Sequence, residues 1–66
     1  MNEMLLSPKA IQLMGRIVHR LARRYHSHVP LTGKGGEALV RVLRASEHIG
    51  DKDVQVMRSE LLQEIH

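Results

Sequence analysis

Apolar residues recur at Ile11, Met14, Val18, Leu21 and Tyr25, a three-four spacing that lines one face of a helix. Leu13, Ile17 and Ala22 widen that face to about half of the cylinder at ~100° per residue. One neighbouring helix cannot cover so wide a face, so it predicts contact with two elements, or with one element and a partner chain. Ser7 is a favoured N-cap, Pro8 suits the first helical position, and Leu6 and Ile11 have the spacing of a hydrophobic staple. At the far end, Pro30 disfavours helical geometry in the residue before it. Together these signals predict a helix over about 7–28, around which the rest of the chain is organised. Gly15 lies inside it at a cost of about 1 kcal/mol relative to Ala. It is either a tolerated glycine or a place where another backbone approaches closely.

A second helix is predicted over 36–49. Ala38, Leu39, Val42, Leu43, Ala45 and Ile49 share its apolar face. Glu37, Arg41, Arg44, Glu47 and His48 fall opposite, with Glu37 and Arg41 at the i, i+4 spacing of a favourable ion pair. Gly50 is placed to cap its C-terminus. Asp51 or Asp53 then caps a third helix over 52–65, where acids suit the positive end of the dipole. Its stripe of Val54, Met57, Leu61 and Ile65, flanked by Leu62, is the narrow seam used against one neighbour. Period-two alternation is not sustained anywhere. The expected fold class is all-α, a three-helix single domain spanning 1–66.

Size changes that picture. A chain of 66 residues buries only about 60% of its unfolded surface, which makes for a marginal core. With no Cys it has neither disulfides nor thiolate metal sites to staple that core, and self-association is the usual remedy. The expectation is therefore a homodimeric helical bundle. Ile17 on the over-wide face, and Val40 and Val56 outside the apolar faces of their helices, are the candidate dimer contacts.

Charge changes it again. The net charge of +3 is uneven: residues 11–30 hold four arginines and no acid, while 51–66 hold two bases against four acids. Arg16, Arg20, Arg23 and Arg24 on the first helix form a candidate basic face for a protein partner or for nucleic acid, where arginines would neutralise phosphates in a salt-sensitive way. The same arginines read equally as a solvated face. A helix-turn-helix arrangement fails, because its reading helix would be the acidic third one. With one Tyr and no Trp or Phe, the chain offers no stacking platform for single strands. No apolar run reaches the ~18 residues of a membrane span. The N-terminus lacks the basic start and apolar core of a signal peptide. The expected setting is the cytoplasm.

Candidate chemistry is sparse. Gly33, Lys34, Gly35 and Gly36 before a helix resemble an anion-binding loop. They lack the full phosphate-loop pattern and its preceding strand, and read first as a connector of roughly 6–9 residues. Five histidines, among them His19, His26 and His28, could sense pH, yet have no carboxylate spaced to complete a metal set. Ser7 is used as a cap, and Ser27, Ser46 and Ser59 have no recognisable base beside them. The chain reads as a non-enzyme with no metal and no cofactor.

Met14, Gly15, Arg16, Ile17, Val18 and Leu21, then Lys34, Leu39, Val40 and Leu43, then Asp53 and the run Arg58, Ser59, Glu60, Leu61 resemble the AriR/YmgB-type small regulators of biofilm formation and acid resistance. The likeness spans about residues 13–64. It implies a three-helix homodimer acting as a connector in signalling or transcriptional control, with no catalytic residues. The expected function is a small non-enzymatic regulator that binds proteins, as a helical homodimer or against a larger target. The alternative is a nucleic-acid-binding transcriptional regulator using the arginine-rich face.

Overall fold

A computed structural model describes residues 6–65, in three helices: α1 (Pro8–Tyr25), α2 (Glu37–Ser46) and α3 (Lys52–Glu64). The described chain is an all-α domain.

The start of α1 follows its local signals. Ser7 is the N-cap, its Oγ accepts from the Ala10 amide at 3.1 Å, and Pro8 opens the helix. The Ser7 hydroxyl also donates to Glu64 Oε1 at 3.0 Å, which ties the start of α1 to the end of α3. The staple is not what holds this end. Leu6 packs against the core, but Ile11 is 58% exposed.

α1 stops at Tyr25, short of the expected residue 28. His26 adopts a left-handed conformation (φ 53, ψ 31), and the Ser27 amide closes on the Leu21 carbonyl at 3.1 Å. Histidine is among the few non-glycine types enriched there. The turn lets Val29 fold back against the core, which a helix continuing to 28 would not permit. The connection therefore runs over residues 26–36, longer than expected.

α1 supplies more than half of the core. Ala10, Leu13, Met14, Ile17 and Leu21 are buried from α1, Leu39 and Val42 from α2, and Val54 and Leu61 from α3. Burial of a Leu- or Ile-sized side chain is worth about 1.5–3 kcal/mol, so α1 dominates the hydrophobic stabilisation. Its buried face is rotated from the expected one. Ala10 is inside, Ile11 is outside, and Tyr25 is 41% exposed. Ile17 is fully buried within its own chain, which removes it from the candidate dimer contacts.

α2 ends at Ser46, not at 49. The fully buried Ser46 donates its hydroxyl to the Val42 carbonyl at 2.7 Å. Gly50 is not the cap, since it is not among the glycines with positive φ. Side chains of α3 do that work instead. Gln55 Nε2 donates to the carbonyls of Ser46 and Ile49, both at 2.8 Å, and Arg58 Nε donates to that of Leu43 at 3.3 Å. These donors add to the bonds that the Ser46 and Leu43 carbonyls accept from the Ile49 amide and the Ser46 hydroxyl, both at 3.3 Å, and the guanidinium sits at the negative end of the α2 dipole. Glu37 and Arg41 do not pair with each other. Glu37 accepts from the Lys34 amide, and Arg41 donates to the carbonyls of Pro30 and Thr32.

α3 packs antiparallel to α1, with Ser7 and Glu64 meeting at one end and Arg20 and Asp51 at the other. Asp51 is its N-cap, accepting from the amides of Asp53 (2.9 Å) and Val54 (3.2 Å). Val54 and Leu61 are fully buried, Met57 and Ile65 pack at the edge of the core, and Leu62 faces outward.

Candidate binding groove

The electrostatics of the α1–α3 contact centre on Asp51, whose side chain is only 5% exposed. Its Oδ2 accepts from Arg20 Nε at 2.8 Å and from the Tyr25 hydroxyl at 2.9 Å. Its Oδ1 serves the first turn of α3. The hydrogen bond from Arg20 holds the Asp51 carboxyl down to about 2, helped by Tyr25 and the Val54 amide and opposed by desolvation. The same contact raises the Arg20 guanidinium, and acceptance by Asp51, with burial, raises the Tyr25 phenol. Arg20 also reaches Asp53 Oδ2 at 3.2 Å, with Asp53 mostly exposed.

Arg20 is thus engaged within the chain, and the expected four-arginine face is three arginines wide. Arg16, Arg23 and Arg24 remain exposed, and none pairs with a carboxylate among the described residues. His19, Arg20, Arg23 and Arg24 border a shallow concavity of about 210 Å³ on α1.

Beside the Asp51 contact, a groove of about 660 Å³ runs between α1 and α3. Gly15, Arg16 and His19 line it from α1, Val56, Met57 and Glu60 from α3, and Arg20 with Asp53 at one end. Beyond Gly15, its chain neighbours and the adjacent backbone of α1, no atom lies within 4 Å of where a Gly15 Cβ would stand, so no other described backbone uses the close approach that a glycine permits. Val56 is 49% exposed and lines this groove. Val40 is 47% exposed but lies on α2, outside the groove lining. The structure therefore does not bring Ile17, Val40 and Val56 together as one surface.

The glycine-rich loop already holds an anion of its own. The Glu37 carboxylate takes the Lys34 amide, and Gly33 has φ 126 with Glu37 Oε1 only 2.8 Å from the place of a Cβ. A bound phosphate would have to displace that carboxylate. Among the described residues no three His, Asp or Glu side chains are grouped to hold a metal ion. The Ser46 hydroxyl is buried and committed to backbone carbonyls. None of the described helices is long and apolar enough to cross a membrane.

Two features escaped sequence reasoning. The Arg20–Asp51–Tyr25 contact has no local signal, because Arg20 and Asp51 lie 31 residues apart. The groove had one partial signal, Val56 lying off its helix's apolar stripe. No protein-family model, curated protein or solved structure matches this chain.

Proposed function

We propose that this chain is a small non-enzymatic regulator that works in the cytoplasm by binding proteins, as a helical homodimer or against a larger target. The observation that carries this reading is the α1–α3 groove, where the half-exposed Val56 and the partly buried Met57 lie opposite a glycine and between charged rims. A small core that leaves Ile11, Val40, Val56 and Leu62 partly in solvent gains most from a partner. The resemblance to the AriR/YmgB regulators points the same way. Sedimentation equilibrium of the purified chain, with a pull-down, tests it. Self-association or capture of a target protein through the groove, lost on Val56→Glu, is expected. A monomer at high micromolar concentration that captures nothing overturns it.

A second reading, nucleic-acid binding, is favoured by one observation: Arg16, Arg23 and Arg24 are exposed on α1 and lack a carboxylate partner among the described residues. Adding a short DNA duplex to the same sedimentation experiment separates the two. Binding that weakens steeply with salt and disappears in a doubly substituted Arg23→Ala, Arg24→Ala chain would support nucleic acid. Binding unchanged in that variant would eliminate it.

A further inference from the structure

The concavity of about 210 Å³ on α1 is bordered by His19, Arg20, Arg23 and Arg24, and its first two residues also line the α1–α3 groove. Residues three and four apart are neighbours on a helix, so the three guanidinium groups converge there. Arg20 is held in place. Its Nε donates to Asp51 Oδ2 at 2.8 Å, and its Nη2 lies 3.2 Å from Asp53 Oδ2. Those contacts fix the guanidinium plane and leave further N–H donors on the same group. The two aspartates offset the charge of Arg20. Arg23 and Arg24 are exposed, and neither is within ion-pair distance of a carboxylate among the described residues. The negative end of the α1 dipole favours a cation here, but two exposed guanidinium groups beside a third, at a spacing where like charges repel, leave a positive surplus.

We propose that this concavity binds the phosphate group of a small phosphorylated molecule, with Arg20 as the fixed donor and Arg23 and Arg24 closing on it from the rim. The proposal goes beyond both readings above and depends on neither. Guanidinium matches phosphate in geometry, because its parallel N–H groups meet two oxygens at once. A guanidinium already immobilised by Asp51 and Asp53 gives up little freedom on binding. His19 adds a ring N–H at the border. A compact ligand suits the site better than a duplex, which carries phosphates along its whole length. Asp53 and Glu60, exposed in the adjoining groove, would repel those phosphates. The same two carboxylates can accept from the hydroxyls of a phosphate ester whose body extends into the groove.

Titration of the full, isotopically labelled chain with inorganic phosphate and with glycerol phosphate, followed by nuclear magnetic resonance at neutral pH, tests the site. Ionic strength is held constant with chloride, so that a saturable shift reports a site and not general screening. Amides of residues 19–24 and the Arg20 Nε–H should shift and saturate with a Kd on the order of 1 mM or below. Tighter binding of the ester assigns an organic monoester, and equal or tighter binding of the free ion assigns phosphate itself; both support the site. The double variant Arg23→Gln, Arg24→Gln should bind on the order of tenfold or more weakly. Lys9→Gln with Arg44→Gln removes the same charge from exposed positions elsewhere and should bind as the wild type does. Circular dichroism verifies helicity in both. Equal weakening in the two double variants overturns the proposal, because a diffuse field and not the concavity would then attract the anion. Shifts that do not saturate overturn it too. So does a short DNA duplex that displaces phosphate at far lower concentration, which would assign the arginines to nucleic acid.

Discussion

Asp51 accepts from Arg20 Nε at 2.8 Å while its other oxygen caps the first turn of α3. One carboxylate thus starts one helix and fastens it to another, and its ionisation links local structure to tertiary packing. Removing it should loosen the α1–α3 contact and leave Arg20 held only by the mostly exposed Asp53.

Acid stability should report on this link. The folded Asp51 carboxyl is held down to about 2, chiefly by Arg20, whereas an unfolded Asp titrates near about 3.9. Between those values the unfolded chain binds the proton first, so stability rises with pH. The contribution is fully present above about pH 4 and is lost as pH falls through about 2. Asp51→Asn keeps a capping side chain but lacks the charge. It should melt at lower temperature at neutral pH and show a flatter acid limb. A variant with the wild-type acid limb would refute the link.

Tyr25 gives an independent spectroscopic handle, as the only tyrosine in a chain without Trp. Its hydrogen bond to Asp51, with burial, raises the phenol above its ordinary value of 10.0. A raised folded pKa means stability that is present below the unfolded value and lost as pH rises through the folded one. Near-ultraviolet absorbance should show the phenolate forming later than in a denatured chain. In Asp51→Asn it should form earlier than in the wild type.

Two isoleucines on α1 separate the core from the surface. Ile17 is fully buried and Ile11 is 58% exposed. Ile17→Ala should cost about 2–5 kcal/mol, a large part of the stability of so small a domain. Ile11→Ala should stay within about 0.5 kcal/mol in the monomer. Urea unfolding by circular dichroism measures both. Equal losses would mean that the rotation of α1 described above is wrong.

Gln55 should matter more than its place on a polar face implies. It donates to the Ser46 and Ile49 carbonyls at 2.8 Å each. Gln55→Ala should cost about 1–3 kcal/mol for two lost hydrogen bonds. Gln63→Ala, an exposed control on the same helix, should be near neutral in the same unfolding experiment.

By itself the sequence determined what depends on near neighbours along the chain. Apolar periodicity specified three helices, Ser7 and Pro8 marked the start of α1, and Asp51 was one of the two expected caps of α3. Each rests on groups within about a turn of one another, where backbone hydrogen bonding and capping rules operate. Tertiary structure decided the rest. It put Ala10 inside and Ile11 outside, because the rotation of a helix is set by the elements packed on it. It took Arg20 from the basic face, because a buried carboxylate 31 residues away needed a donor. It capped α2 with Gln55 and Arg58 where the sequence offered Gly50, and it set Arg16 and Glu60 on the two sides of one groove. Those outcomes depend on which distant residues meet, and that is settled only when apolar burial and the satisfaction of buried polar groups are solved together for the whole fold.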